Sequence, residues 1–209
     1  MHMNKKIAPF FVAENHAGKT SLAEALEPHF PTIAHYSIRG VIQKAYSDEY
    51  GADNSAKRRD HIQTFSEMKK AEYGPAIFIQ EAVKLFNNSS FDLCIIESLR
   101  APGEADWIIS PEFEIEFPDI TPLIIGITAP IEDRLQRFLS ARPDNLAAEL
   151  TEEEFYRHEA LSNHGHYPYE ENIKATMLRA DLIVSNANGK LDNAVEKILE
   201  CIYAMQNAA

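Results

Sequence analysis

The sequence is poor in cysteine and in positive charge, and it has no long apolar run. Its two cysteines, Cys94 in an apolar stretch and Cys201 near the C-terminus, provide neither a disulfide framework nor paired metal-ligand spacing. Both read as reduced core residues. With 20 Lys and Arg against 32 Asp and Glu, the net charge of -12 opposes loose attraction to a nucleic-acid backbone. No run approaches the roughly 20 apolar residues of a membrane span, and Met1-His2-Met3-Asn4-Lys5-Lys6 passes within a few residues into a core-like strand. These features predict a cytoplasmic protein that engages neither membrane nor nucleic acid. There is no internal repeat and no low-complexity tract.

What the sequence does have is the composition of one ordinary globular domain over 1–209, with room for a lid or short insertion. Short apolar runs alternate with helical periodicity, the pattern of helices on both faces of a parallel sheet. The runs 7–12, 32–36, 93–96, 123–128 and 182–184 predict five strands buried on both faces. Ile38, Val41, Ile42 and Ala45 recur at helical spacing, as do Ile79, Ala82, Val83 and Phe86 after Pro75. Ile131, Leu135, Phe138 and Leu139 repeat it after Pro130, and Val195, Ile198, Leu199 and Ile202 do so near the C-terminus. Each stripe reads as core. Thr151 with Glu154 fits a capping box, which makes the polar stretch 140–150 a loop between helices and a lid candidate. The mixed charge of 52–70 reads as a solvated helix face.

Chemistry is concentrated first in Ala13-Glu14-Asn15-His16-Ala17-Gly18-Lys19-Thr20, between the first apolar run and the helical run that begins at Ser21. This fits the Walker A pattern, with Ala13 in place of the usual first Gly. The pattern works because backbone N–H groups and a helix N-terminus surround phosphates, a Lys supplies point charge and a hydroxyl ligates magnesium. The segment Ala13 through Thr20 with Ser21 is therefore the expected ATP site, with Lys19 on the β- and γ-phosphates and Thr20 on the metal.

The second element is an apolar run closed by Glu97, which becomes the candidate metal ligand or base beside Thr20. Arg100, three residues on, can grip an acceptor phosphate with its two-pronged guanidinium, or else pair with Glu104. The third is the set Arg134, Arg137 and Arg142 beside the lid candidate. Arg137 and Arg142 are the preferred catalytic cations, against solvated pairing with Glu132, Asp133 or Asp144. His158, His164 and His166 lie close enough in sequence to suggest zinc, but without cysteine or a carboxylate framework they read as a polar lid edge. Asn186-Ala187-Asn188-Gly189 reads either as a turn or as a contact to the adenine base.

Together, the Walker A loop, Ile96-Glu97-Ser98-Leu99-Arg100 with Glu104, the helix from Ala129-Pro130 to Arg137, and the segment from Ala180 to Asn186 resemble the nucleoside monophosphate kinase group. Within it the likeness is to dephospho-CoA-kinase-related and deoxynucleoside monophosphate kinase-like proteins. The resemblance implies a P-loop three-layer α/β sandwich with a five-stranded parallel sheet in order 2-3-1-4-5. It also implies an acceptor-binding helical region over about 38–90, a lid over about 140–170, and Arg39 and Arg100 facing the acceptor. Three departures stand out: Ala13 for Gly, Glu97 for the usual Asp, and Ser98 where Gly is frequent. The leading expectation is an ATP- and Mg2+-dependent kinase of a nucleoside or deoxynucleoside monophosphate. The alternatives are a regulatory ATPase without acceptor phosphorylation and a kinase of a non-nucleotide metabolite. Either a monomer or a homodimer accommodates the sequence.

Overall fold

Successive side chains of a strand point to opposite faces, so a strand that is apolar at every position must be covered on both. The first run is of this kind. It forms β1 (Lys6–Ala13), whose Ala8, Phe10 and Val12 enter one hydrophobic cluster while Ile7, Phe11 and Ala13 enter another. The computed structural model, which describes residues 5–51, 59–91, 93–141 and 150–208, places β1 between β3 (Leu93–Leu99) and β4 (Ile120–Thr128). Strands β2 (Ile33–Ser37) and β5 (Leu182–Ser185) form the edges. All four pairings are parallel and the order is β2-β3-β1-β4-β5, as the resemblance implied.

Helices α1 (Lys19–Leu26) and α10 (Leu191–Ala208) cover one face through Leu22, Leu26, Ile198 and Ile202. The other face carries α2 (Ile38–Tyr50), α3 (Arg59–Tyr73) and α4 (Ile77–Asn87). The short helices α5 (Pro102–Ile108), α6 (Pro111–Glu116) and α9 (Ile173–Met177) complete that layer. Each fully buried Phe or Ile of these layers contributes ~1.5–3 kcal/mol relative to exposure. Helices α7 (Ile131–Ser140) and α8 (Glu152–Leu161) meet through the Phe138 and Phe155 rings, 5.7 Å between centroids. The Thr151 box is present: Thr151 Oγ1 accepts from Glu154 N at 3.2 Å, and Thr151 N donates to the Glu154 carboxylate at 3.1 Å.

Several expectations need correction. Strand β3 does not end at Ile96 but runs through Glu97 and Ser98 to Leu99. Its register with β1 passes from Phe11–Glu97 to Val12–Leu99, so Ser98 is the extra residue of a bulge, and its φ is 80°. Strand β4 starts at Ile120 rather than Leu123, because Ile120 packs into the core below Phe117 and Phe113. The stripe of α7 is only partly core: Ile131 and Leu139 are exposed, and the buried positions are Arg134 and Phe138. Lys70, placed by its charge on a solvated face, is buried. Cys94 is buried as expected, whereas Cys201 is only half-buried. Most of the 140–150 stretch lies outside the described residues, as does Arg142.

Candidate active site

The loop between β1 and α1 turns through two residues with positive φ, His16 at 59° and Gly18 at 83°. Ala13, by contrast, completes β1 in extended pairing with Ile127, so the missing glycine at that position costs no backbone strain. Alternating left-handed residues point consecutive N–H groups into one concavity, and the N–H groups opening α1 have no intrahelical partner by position. The residues Ala13 through Ser21 line a cavity of about 730 Å³ that is open to solvent. Gly18 is required here on two counts. A Cβ would need the left-handed conformation that L-residues avoid, and it would run into Asn186 Nδ2.

Glu97 is brought to this loop by β3, the neighbour of β1. Its Oε2 lies 3.1 Å from Lys19 Nζ, 3.5 Å from Thr20 Oγ1 and 3.8 Å from His35 Nε2. Burial alone would raise the carboxyl, but the His35 imidazole and the Lys19 ammonium outweigh it and hold Glu97 down to about 2. It is therefore an anion at neutral pH and a weak proton acceptor. Thr20 and Glu97 offer the hard oxygen donors that suit Mg2+. Among the described residues no group of three or more His, Cys, Asp or Glu is arranged to hold a metal. His35, which sequence reasoning missed, sits on the edge strand β2, where an imidazole between Ala34 and Tyr36 was the only signal.

Arg39 from the first turn of α2 and Arg100 from the end of β3 also line the phosphate-loop cavity. Both line a second cavity, about 540 Å³, walled by Ile38, Ile42 and Ile62. Arg100 does not pair with Glu104. Its Nη1 lies 3.2 Å from Glu171 Oε2, while the buried Glu104 accepts from the backbone N–H groups of Arg100 at 2.7 Å and Ala101 at 2.8 Å. Glu104 also holds Lys70 Nζ at 2.5 Å. Arg39 makes no ion pair or hydrogen bond with any described residue.

The arginines of α7 divide. Arg134 is buried and fully engaged: it bonds Glu159 at 2.6 Å, Glu14 at 3.5 Å and the Asn15 and Ala129 carbonyls. It pairs with neither Glu132 nor Asp133, and Asp133 instead accepts from Asn188; Asp144 lies outside the described residues. Arg137 lies against the phosphate loop, donating to the carbonyls of His16 at 3.3 Å and Asn186 at 2.7 Å and to Asn188 Oδ1 at 3.0 Å. Asn186 is buried and donates from Nδ2 to Ala17 O at 2.8 Å, so this loop braces the Walker A turn. Helix α8 docks on the same turn, because Asn15 Nδ2 donates to His158 O, Glu159 Oε1 and Ser162 Oγ. The His158 ring packs on Phe138, and His164 lies 3.9 Å from Glu67.

No family model matches the chain, and a search of curated proteins finds no match. Among solved structures the chain is similar to a shikimate kinase from Bacteroides thetaiotaomicron at 11% identity and TM-score 0.55, covering 94% of this chain and 98% of that one. It is similar to a protein from Thermus thermophilus at 14% identity and TM-score 0.56, covering 97% and 98%. It also resembles a shikimate kinase from Acinetobacter baumannii solved with shikimate, at 15% identity and TM-score 0.51, covering 96% and 94%. These likenesses show the fold of P-loop kinases. Among the described residues, no helix is long and apolar enough to cross a membrane.

Proposed function

We propose that the protein is an ATP-dependent kinase that phosphorylates a small anionic acceptor. One observation carries this reading: Arg39 and Arg100 line both the phosphate-loop cavity and the cavity beside it. A regulatory ATPase has no use for a second cavity that shares its cations with the first. In the kinase reading, a nucleophilic oxygen of the acceptor attacks the γ-phosphorus, the bond to the β,γ-bridging oxygen breaks, and ADP leaves with that electron pair. A hydroxyl acceptor gives up its proton to solvent as the new P–O bond forms.

The residues act by position and charge. Backbone N–H groups from Asn15 to Thr20 orient the donor phosphates, and Lys19 exchanges Glu97 for phosphate oxygens. Thr20 and Glu97 would hold Mg2+, which would supply neutralisation of the charge on the transferred phosphoryl group. Arg137 holds the His16 and Asn186 carbonyls and so keeps the loop in its turned form. Arg39 and Arg100 orient the acceptor. The resemblance noted above favours a nucleoside or deoxynucleoside monophosphate as that acceptor, and a non-nucleotide acid is the alternative served by the same machinery. Incubation with ATP, Mg2+ and a panel of nucleotides and metabolite acids, following ADP and phosphorylated product separately, tests the proposal. ADP release with no phosphorylated product from any acceptor refutes it in favour of the ATPase.

A further inference from the structure

A phosphate loop binds phosphate with its backbone, which leaves the side chains at its variable positions free for other uses. In this chain Glu14, Asn15 and His16 all turn theirs toward the α7–α8 pair. Glu14 Oε2 accepts from Ala129 N at 3.3 Å, and its Oε1 lies 3.5 Å from Arg134 Nη2. The buried Asn15 gives Nδ2 to His158 O at 3.2 Å and to Glu159 Oε1 and Ser162 Oγ, both at 2.9 Å. A carbonyl and a carboxylate can only accept, so the amide nitrogen has to face α8. The His16 ring packs edge-on against Phe138, 5.0 Å between centroids, and lies 6.3 Å from Phe155.

Arg134 and Glu159 close the arrangement. One oxygen of the Glu159 carboxylate accepts from Asn15 and the other from Arg134 Nη1 at 2.6 Å; the same Nη1 donates to Asn15 O at 3.3 Å. A buried ion pair is a poor source of net stability, because desolvation offsets much of the attraction and the loss of one partner strands the other. What this one grips is the least favourable stretch of the loop. His16 has φ of 59°, a conformation that an L-residue keeps only when its surroundings hold it there. Among the described residues, Arg134 and those of α8 line no part of the phosphate-loop cavity, so they act on it only through Glu14, Asn15 and His16.

We infer that Asn15, Arg134 and Glu159 are positioning residues of the donor site: they couple the docking of α8 to the turned form of the phosphate loop, and nucleotide binds tightly only while α8 is seated. With α8 in place, Asn15 and His16 are held and the N–H groups that follow them converge on one point. With α8 displaced, Asn15 loses its three acceptors, the His16 ring loses its aromatic cover, and the left-handed turn relaxes. Linkage makes the coupling reciprocal, so bound nucleotide seats α8 in turn. This inference rests on the phosphate-loop reading and extends it to a helix that touches no phosphate.

The test uses the full chain, with ADP and Mg2+ as the probe so that no turnover intervenes, titrated by calorimetry well below the melting temperature. In Glu159→Gln the new amide can satisfy Asn15 or Arg134 but not both, and Asn15→Asp sets a carboxylate against Glu159. Each single variant is expected to weaken ADP binding about 10- to 100-fold. For Glu159→Gln the sign is decisive, because loss of a negative charge near the loop would by its field alone strengthen anion binding. The double variant Asn15→Asp with Glu159→Gln reverses donor and acceptor and keeps the wild-type charge count. Its new amide donates to its new carboxylate, and its ADP affinity returns to within about 5-fold of wild type. A merely structural pair would lower Tm and leave ADP affinity alone. Wild-type affinity in a folded Glu159→Gln protein, or additive loss in the double variant, overturns the inference. Hydrogen exchange needs no variant: saturating ADP slows the amides of α8 about 10- to 100-fold more than those of α4. Equal slowing of the two helices overturns the inference as well. No ADP binding by the wild type would instead overturn the phosphate-loop reading itself.

Discussion

Replacing Glu97 by Gln removes one negative charge where Lys19, Thr20 and His35 converge while keeping the side chain's size. At 3.1 Å and an effective dielectric constant near 20, the Lys19–Glu97 attraction is roughly 5 kcal/mol before desolvation is subtracted. Burial offsets much of this, and the net loss on substitution is about 1–3 kcal/mol in the nucleotide-free protein. Two opposite effects on function follow. Lys19 no longer has to leave a carboxylate to meet phosphate, so Glu97→Gln keeps or slightly improves metal-free ATP affinity. The charge beside Thr20 is gone, so Mg2+-dependent turnover falls about 10- to 100-fold, the equivalent of one charged hydrogen bond. The stability effect also has a pH signature. A carboxylate depressed from 4.5 to about 2 in the folded state contributes stability that is present above 4.5 and lost as pH falls toward 2. The stability difference between wild type and Glu97→Gln should therefore shrink over that window. ATP titration calorimetry with and without Mg2+, steady-state turnover, and denaturant melts from pH 6 to pH 3 measure all three quantities. Wild-type Mg2+-dependent turnover in a folded Glu97→Gln protein would refute the placement of the metal, and a pH-independent stability difference would refute the electrostatics.

Arg100→Lys keeps charge but loses the two-pronged contact, so acceptor binding weakens by about 1.5–3 kcal/mol with ATP affinity nearly unchanged. Calorimetry that finds the reverse assigns Arg100 to the donor side. Gly18→Ala forces an L-residue to the φ of 83° and drives its Cβ against Asn186, so stability drops by at least about 1–2 kcal/mol and ATP binding is lost. A urea melt and nucleotide titration check it, and a fully stable, ATP-binding variant contradicts the loop geometry. Burial pushes the Cys94 thiol far above its ordinary range and raises that of half-buried Cys201 less. A thiol reagent at pH 8 should modify Cys201 in the native protein and Cys94 only after unfolding; rapid labelling of both would show that the sheet core is open.

The strands and the phosphate loop were legible in the sequence because each is a local pattern. An apolar run such as that of β1 needs cover on both faces, and Gly18-Lys19-Thr20 after such a run has one economical geometry. Ser98 shows how a local reading can be right about a residue and blind to its cause. The place where Gly is frequent proved to be a bulge with φ of 80°, visible only once β3 is paired with β1. Arg134 and Arg137 look alike three residues apart on one helix. Only packing decides that the first is locked between Glu14 and Glu159 while the second braces the loop. Charge was the least legible property of all. Lys70 in a mixed-charge helix reads as solvated, and its partner Glu104 lies 34 positions away on α5. Arg100 has a carboxylate four residues on and bonds instead to one from a distant loop. Sequence alone determined most of the elements and the phosphate-loop pattern, because backbone geometry and strand burial act over a few residues. The tertiary structure decided which cation meets which anion, because a buried charge takes whatever partner the folded chain brings within a few ångströms, at any separation in sequence.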